Sequence, residues 1–255
     1  MTISTNPVLV LEHVSMAYGS KHVLDDVSVT LNQGEVVCIL GESGVGKTTL
    51  FNVIAGLLHP DKGSVSLHKQ DITGTTGHVS YMLQKDLLLP YKTVIDNAAL
   101  PLRIQGKSKV ESREAALKYF ATFGLEGTQN LYPAQLSGGM RQRVAFLRTF
   151  LFSDDVALLD EPFSALDTIT KHQMQTWYLD IMSQLNLSTF FITHDIDEAI
   201  LLSDRIYVLS GKPGKITYEL VIDNPKPRNE DFLLTDAFIN YKRIIKAHLN
   251  DTKTE

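Results

Sequence analysis

Cysteine is nearly absent from this sequence. The one example, Cys38, lies inside the apolar run VVCIL, which suits a buried thiol packing as a small hydrophobe. A lone cysteine excludes a disulfide framework and a cysteine-rich zinc site. Long apolar runs are missing as well, so no segment has the length to span a bilayer. The first residues, MTISTNPVLV, lack a basic stretch followed by an apolar core, which gives no expectation of a signal peptide. There is no excess of basic charge: 24 Lys and Arg face 29 Asp and Glu, a net charge of −5 that counts against nucleic acid as the main partner. Internal repeats and low-complexity linkers are also lacking. What remains is a chain of 255 residues, 44% hydrophobic and 21% charged, with enough length for a substantial core.

Strand and helix patterns alternate along most of it. VLVLEHVSMAY and VLDDVSVTL read as strands broken by the turn signal YGSK, and GSVSLH at 63–68 reads the same way. Four apolar or β-rich runs each end in a residue suited to chemistry. VVCIL (36–40) enters a glycine loop, HVSYML (78–83) meets Gln84, VALL (156–159) meets Asp160 and Glu161, and STFFIT (188–193) meets His194. Alternation with helical patterns predicts an α/β domain with a mainly parallel sheet, whose ligands bind beyond the carboxyl ends of the strands. From about 86 to 153 only helical patterns occur, with Ser108 placed as an N-cap, which predicts a helical subdomain inserted between two strands. The spacing predicts another helix over 168–185. There Met174, Trp177, Tyr178, Ile181 and Leu185 share one face, so Trp177 reads as core. GKPGK (211–215) reads as a hairpin turn, and residues 230–248 read as an amphipathic helix docked on the domain. The domain reading is 1–230 for the main domain and 231–255 for a helical tail.

The loop GESGVGKTT (41–49) fits G-x-x-x-x-G-K-[ST] and sits between a strand and a helix, the context this motif requires. Gly41, Glu42, Ser43, Gly44, Val45, Gly46, Lys47, Thr48 and Thr49 are therefore the candidate phosphate cradle. Backbone amides and the helix dipole attract the anion, Lys47 adds charge at the β and γ phosphates, and the Thr48 hydroxyl suits Mg²⁺. Asp160 is a carboxylate at a strand end that can hold Mg²⁺ directly or through water. Glu161 points differently and is the candidate general base toward an attacking water. His194 contacts the γ phosphate, orients Glu161, or simply caps the next helix. Gln84 read alone is a solvated glutamine. A second glycine stretch, LSGGMRQRV (136–144), offers either another anion site at a helix start or an ordinary N-cap by Ser137.

Taken in order, GESGVGKTT, Gln84, LSGGM, LLDEP, SALD and His194 resemble the nucleotide-binding subunits of ATP-binding cassette (ABC) transporters, over about residues 8–222. The resemblance implies a P-loop NTPase cassette: a mainly parallel sheet core, an N-terminal antiparallel β-subdomain and an inserted helical subdomain. It implies ATP and Mg²⁺, a homodimer at the ATP sites, a separate transmembrane permease subunit and, indirectly, a solute-binding protein. The chain would then work as a peripheral subunit at the cytoplasmic face of the membrane. Ser137, Gly138 and Gly139 match the signature stretch that contacts ATP held by the P-loop of the other subunit, which accounts for two glycine loops in one chain. Tyr18 looks like the aromatic that stacks on adenine, though it also suits a core position at a strand end. Gln84 looks like the sensor of Mg²⁺ or water that links the site to the helical subdomain. Asp167 resembles an aspartate that works across the dimer. Met140 departs from the pattern, standing where glutamine is commonest.

LLDEPFSALDTITKHQMQTW and THDIDEAILLSDRIYVLSGKPGKI look like the ATPases of nitrate, sulfonate, taurine and pyrimidine-precursor importers. An exporter or cell-division ATPase of the same fold is the alternative, followed by a non-transport ABC ATPase. Fewer than a hundred residues separate the P-loop from LSGGM, too few for a DNA-repair coiled coil. One cassette, rather than two, sets the chain apart from the ribosome-acting type. A P-loop kinase or GTPase would lack LSGGM, and no N-K-x-D guanine motif occurs.

Overall fold

The computed structural model describes residues 7–153, 155–226, 228 and 230–250. Strand β1 (Pro7–Tyr18) turns through Gly19, at φ 60°, into the antiparallel β2 (Lys21–Asn32). Alternating apolar residues bury one face of this hairpin, with Leu9, Leu11, Val14, Val27, Val29 and Leu31 almost inaccessible. Next comes β3 (Val36–Leu40), every residue of which is buried, as expected for a strand covered on both faces. It leads to α1 (Lys47–Ile54), β4 (Lys62–Leu67) and the short β5 (Gln70–Asp71). The antiparallel sheet runs in the order β2-β1-β4-β5.

Then follow β6 (Ser80–Met82), the helices α2 (Val94–Ala98), α3 (Leu100–Ile104), α4 (Lys109–Leu117) and α5 (Gly138–Phe150), β7 (Val156–Asp160) and α6 (Thr168–Leu185). The chain ends with β8 (Ser188–Thr193), α7 (Ile196–Leu202), β9 (Arg205–Ser210), β10 (Lys215–Val221) and α8 (Asp236–Asn250). Two compact units result. One takes the described residues of Met1–Val79 and Asn186–Glu255, the other Ser80–Leu185.

In the first unit β3 lies between β8 and β9, parallel to both, and β10 closes antiparallel on β9. Leu40 pairs with Thr193 and with Val208. Arg205 holds this unit together from within. Its guanidinium donates to both Glu35 oxygens at 2.9 Å, to the Thr30 carbonyl at 2.9 Å, to the Tyr207 hydroxyl at 2.8 Å and to Glu219 at 2.9 Å. One buried cation thereby ties β2, β9 and β10 to the turn before β3. At the C-terminal end α8 packs on α7 and β9, burying Phe238 and Ile245 and stacking His248 on Tyr218 at 3.8 Å. The helical pattern read over 230–248 is realised as a short 3₁₀ turn at Glu230–Leu234 and then α8.

The second unit contains a parallel β6–β7 pair, with Met82 opposite Leu159, and five helices among its described residues. Ser108 caps α4 as expected, its hydroxyl accepting from the Glu111 amide at 3.2 Å while Glu111 accepts from the Ser108 amide at 2.9 Å. The helix ends at Leu117, earlier than the pattern through Gly124 predicts. Tyr119, Phe120, Thr122 and Phe123 are weaker helix formers, and the chain tightens there into i→i+3 turns that end in Gly124 at φ 63°. Phe123, Phe146, Phe150, Phe163, Trp177 and Tyr178 form the aromatic core. Trp177 packs edge-on against Phe123 and Phe146, in keeping with its reading as core. This unit is wider than the helical stretch 86–153, since it also takes in β6, β7 and α6. Among the described residues no helix is long and apolar enough to cross a membrane.

Breaking the Arg205 network should be costly, because Glu35 is 5% exposed and would keep an unpaired charge. Arg205→Leu is expected to lower stability by about 3–5 kcal/mol in chemical denaturation, and adding Glu35→Gln should restore part of that loss.

Candidate functional site

The glycine loop leaves β3 at its buried carboxyl end and opens α1. Gly44 and Gly46 hold φ of 81° and 114°, where side chains are strained. The curl brings Lys47 back across the loop, where its ammonium donates to the Gly41 carbonyl at 2.8 Å and the Glu42 carbonyl at 2.9 Å. Lys47 is only 6% exposed, so its charge acts in a poorly screened position. The fit beneath the loop is close. A Cβ on Gly41 would lie 2.4 Å from the Leu209 carbonyl oxygen, and one on Gly214, which the sequence did not single out, 2.4 Å from the Val45 carbonyl oxygen.

His194 leaves β8 beside this loop, because Leu40 and Thr193 are register partners on parallel strands. It is exposed, and it does not cap the next helix. Asp195 does so, accepting from the amides of Asp197 at 2.9 Å and Glu198 at 3.2 Å. The Thr193 hydroxyl accepts from the Asp195 amide at 3.0 Å and donates to the buried Glu198 carboxylate, so both neighbours of His194 are pinned. Cys38 is buried as expected, and burial, with the Glu198 charge second, pushes its thiol up. Tyr18 ends β1 with 49% of its surface open, which suits a stacking platform better than a core position.

In the second unit the β6–β7 register brings Gln84, Asp160 and Glu161 together. The Gln84 amide donates to Glu161 Oε2 at 3.2 Å and to the Ser164 hydroxyl at 3.3 Å. With the NH₂ group so used, the exposed side chain still carries an oxygen acceptor. Glu161 has φ 46°, an uncommon left-handed conformation for a glutamate, and Ser164 anchors it by donating its hydroxyl to the Glu161 carbonyl at 2.9 Å. Asp160 is buried at 7% exposure and accepts from the Tyr81 hydroxyl at 3.4 Å. Burial, with the Asp160 charge behind it, raises the Tyr81 phenol, which stays a neutral donor. Ser164 and Tyr81 were not singled out from the sequence. Ser164 lies within the quoted LLDEPFSALD, three residues past Glu161, which is the one signal that points to it.

Ser137 is the N-cap of α5, accepting from the Met140 amide at 3.3 Å, so the plainer reading of this serine holds as local structure. It also borders a cavity of about 350 Å³ lined by Gly138, Gly139, Met140, Arg143, Asp167 and Thr170. The signature residues and Asp167 therefore meet at one open site. Asp167 accepts from the Thr170 amide at 3.1 Å, and its hydrogen bonds with Thr170, the side-chain one foremost, hold its carboxyl below the usual range. Arg143, another lining residue, stacks its guanidinium over the Trp177 ring at 5.0 Å. The Gly139 position is tight, a Cβ there lying 3.2 Å from Thr170 Cγ2.

The sequence profile of the family described as "ABC transporter" matches residues 24–164, more than half of the chain. This chain belongs to the ABC transporter family. It is 46% identical over 207 residues to the formylaminopyrimidine import ATP-binding protein of Halalkalibacterium halodurans, covering 81% of each chain. It is 38% identical over 243 residues to the nitrate import ATP-binding protein of Synechocystis sp., covering 93% and 91%. A solved dimeric ATP-binding cassette in a post-hydrolysis state, bound to ADP and Pi, matches with 29% identity and a TM-score of 0.70 over 85% of this chain and all of that one. The fold is the P-loop ABC cassette, and the chain is an ATP-binding, ATP-hydrolysing subunit of the importer group within the family.

The two loop glycines differ in one testable respect. A Cβ on Gly44 meets nothing within 4 Å, whereas one on Gly46 lies 2.8 Å from Leu24 Cδ2. Gly44→Ala is expected to cost about 1–2 kcal/mol from φ alone. Gly46→Ala adds a clash to the same strain, so it should unfold at the lower temperature and lose more ATP affinity.

Proposed function

We propose that this chain energises uptake of a small polar solute, of the nitrate, sulfonate, taurine or pyrimidine-precursor type, by hydrolysing ATP beneath a separate permease subunit. The reading is carried by two glycine-led helix starts in one chain, one around Lys47 and one at Ser137 beside an open cavity. The names of the formylaminopyrimidine and nitrate relatives support the direction of transport and the solute class.

The roles combine the chemistry already described with what the family resemblance implies for Tyr18, Gln84, Ser137, Gly138, Gly139 and Asp167. The 41–49 backbone and Lys47 hold the phosphates, and Tyr18 stacks on the base. The family resemblance assigns Thr48, Asp160 and Gln84 to Mg²⁺, and each carries the oxygen donor that this hard cation prefers. When bound, that ion neutralises charge developing on the transferred phosphoryl group. Glu161 takes a proton from the attacking water, with Gln84 holding one carboxylate oxygen, and His194 contacts the γ phosphate or orients the base. Ser137, Gly138, Gly139 and Asp167 act across a homodimer on the ATP of the partner.

Within DLLLPY, Leu88 is buried, while Leu87 is 53% and Tyr91 72% exposed. That exposed apolar tip would suit a cytoplasmic loop of the permease, which fits the reading of the chain as a peripheral subunit at the cytoplasmic membrane face. A solute-binding protein is then an indirect partner.

Glu161→Gln keeps the shape of the side chain and removes the base. Hydrolysis is expected to fall by about 10²–10⁴-fold while ATP stays bound, measured by turnover and nucleotide retention. Normal turnover would move the base elsewhere, with His194 the next candidate.

The trans arrangement has its own test. Lys47→Ala chains and Ser137→Arg chains are each expected to form homodimers that fail to occlude ATP. In a mixed dimer, confirmed by differential tags, one site joins an intact P-loop to an intact signature and should trap ATP. Occlusion no greater than in the homodimers would show the signature acting within its own chain.

A further inference from the structure

Helix α5 begins at Ser137 and carries Arg141 and Arg148, seven residues apart and so on one face. Both reach the same short segment. Arg141 Nε donates to the Asp86 carboxylate at 3.3 Å, and its Nη1 to the Leu136 carbonyl at 3.0 Å. Arg148 spans two consecutive carbonyls, donating to that of Leu87 at 2.9 Å and also to that of Asp86. Leu87 between them holds φ 45°, which is rare for a leucine and persists only where the surroundings enforce it. Asp86 tightens the turn further by accepting from the Leu88 amide at 3.1 Å. Two residues upstream is Gln84, whose amide is bonded to Glu161 and Ser164. A continuous path of hydrogen bonds and four residues of backbone thus leads from the signature helix to the base.

We infer that Arg148 is a positioning residue for hydrolysis: it fixes the Gln84–Leu87 turn to the helix that starts at Ser137, so the stance of that helix governs how Gln84 engages Glu161. This rests on the proposed reading that Ser137 serves the partner's ATP. Occupancy of one site then reaches the base of the other through the clasp, inside a single chain. A guanidinium is suited to the task because its planar fork grips two carbonyls at once, whereas an ammonium is a single compact charge on a flexible stem. Arg141 is the lesser arm, since its bond to the loop is a single 3.3 Å contact.

The test is Arg148→Lys in the full chain, measured as ATP hydrolysis against ATP concentration and normalised to folded protein. Turnover per folded chain is expected to fall about tenfold, with ATP affinity within twofold of wild type and the Hill coefficient lowered toward one. A merely structural arginine would lower the melting temperature and leave those kinetic values unchanged. Turnover within twofold of wild type overturns the inference. So does a fall in turnover at an unchanged Hill coefficient, and so does wild-type hydrolysis that is itself non-cooperative. Should Arg148→Lys fail to fold, Arg141→Lys removes the other arm and must shift the same values in the same direction. The Lys47→Ala and Ser137→Arg mixed dimer keeps Arg148 intact, so a failure of the trans arrangement is read there and is distinct from a failure of the clasp.

Discussion

Parallel pairing in register is the constraint on which the chemistry of this protein depends. A parallel pair brings equivalent ends of two strands to the same edge. With Leu40 opposite Thr193, the loop that starts at Gly41 and the side chain of His194 leave the sheet as neighbours. With Met82 opposite Leu159, Gln84 and the Asp160–Glu161 pair do the same. The strands themselves are plain, buried and apolar. Their work is to end at the same level, so that groups distant in sequence are held by backbone hydrogen bonds rather than by long flexible side chains.

Strain accompanies that placement. Glu161 and Leu87 have left-handed backbones that neither side chain favours, at φ 46° and 45°. Each is held by hydrogen bonds to its carbonyl, from Ser164 in one case and Arg148 in the other. Conformations of this kind cost of order 1–3 kcal/mol and survive only when over-determined. They sit on either side of Gln84 in the hydrogen-bonded path.

Buried cations brace the first unit. Arg205 knits the first unit through four residues, Glu35, Thr30, Tyr207 and Glu219. Arg228 closes the carboxyl end of α7 by donating to the carbonyls of Ile200 at 2.8 Å and Ser203 at 2.6 Å, and to Asn224 at 2.7 Å. Burial pulls the Arg228 guanidinium down to about 10, which leaves it charged at neutral pH. These helix-end carbonyls have no partners within the helix, so a buried end needs such a donor. The same logic puts Asp195 at the other end of α7 and relieves His194 of capping.

Sequence alone determined the strand–loop–helix around the 41–49 loop, the four chemistry-bearing strand ends, the 168–185 helix and the N-cap at Ser108. In each case the information is local: a glycine pattern, an apolar run of strand length, a 3.6-residue stripe or a capping pair. The stop of α4 at Leu117 was missed because the apolar pattern runs on through Phe120 and Phe123, although the residues there are weaker helix formers. Arg205, Arg148 and Tyr81 were equally silent, and Ser164 showed only by its place in LLDEPFSALD. An arginine at the start of a strand or within a helix carries no mark of the carbonyl or carboxylate, dozens of residues away, that it will meet. Only the tertiary structure decided that Ser137 both caps its helix and borders a cavity with Asp167, and that Gln84 faces Glu161. Periodicity fixes which way a side chain points, but its partner depends on which strands pair, and pairing is chosen by the burial of the whole sheet.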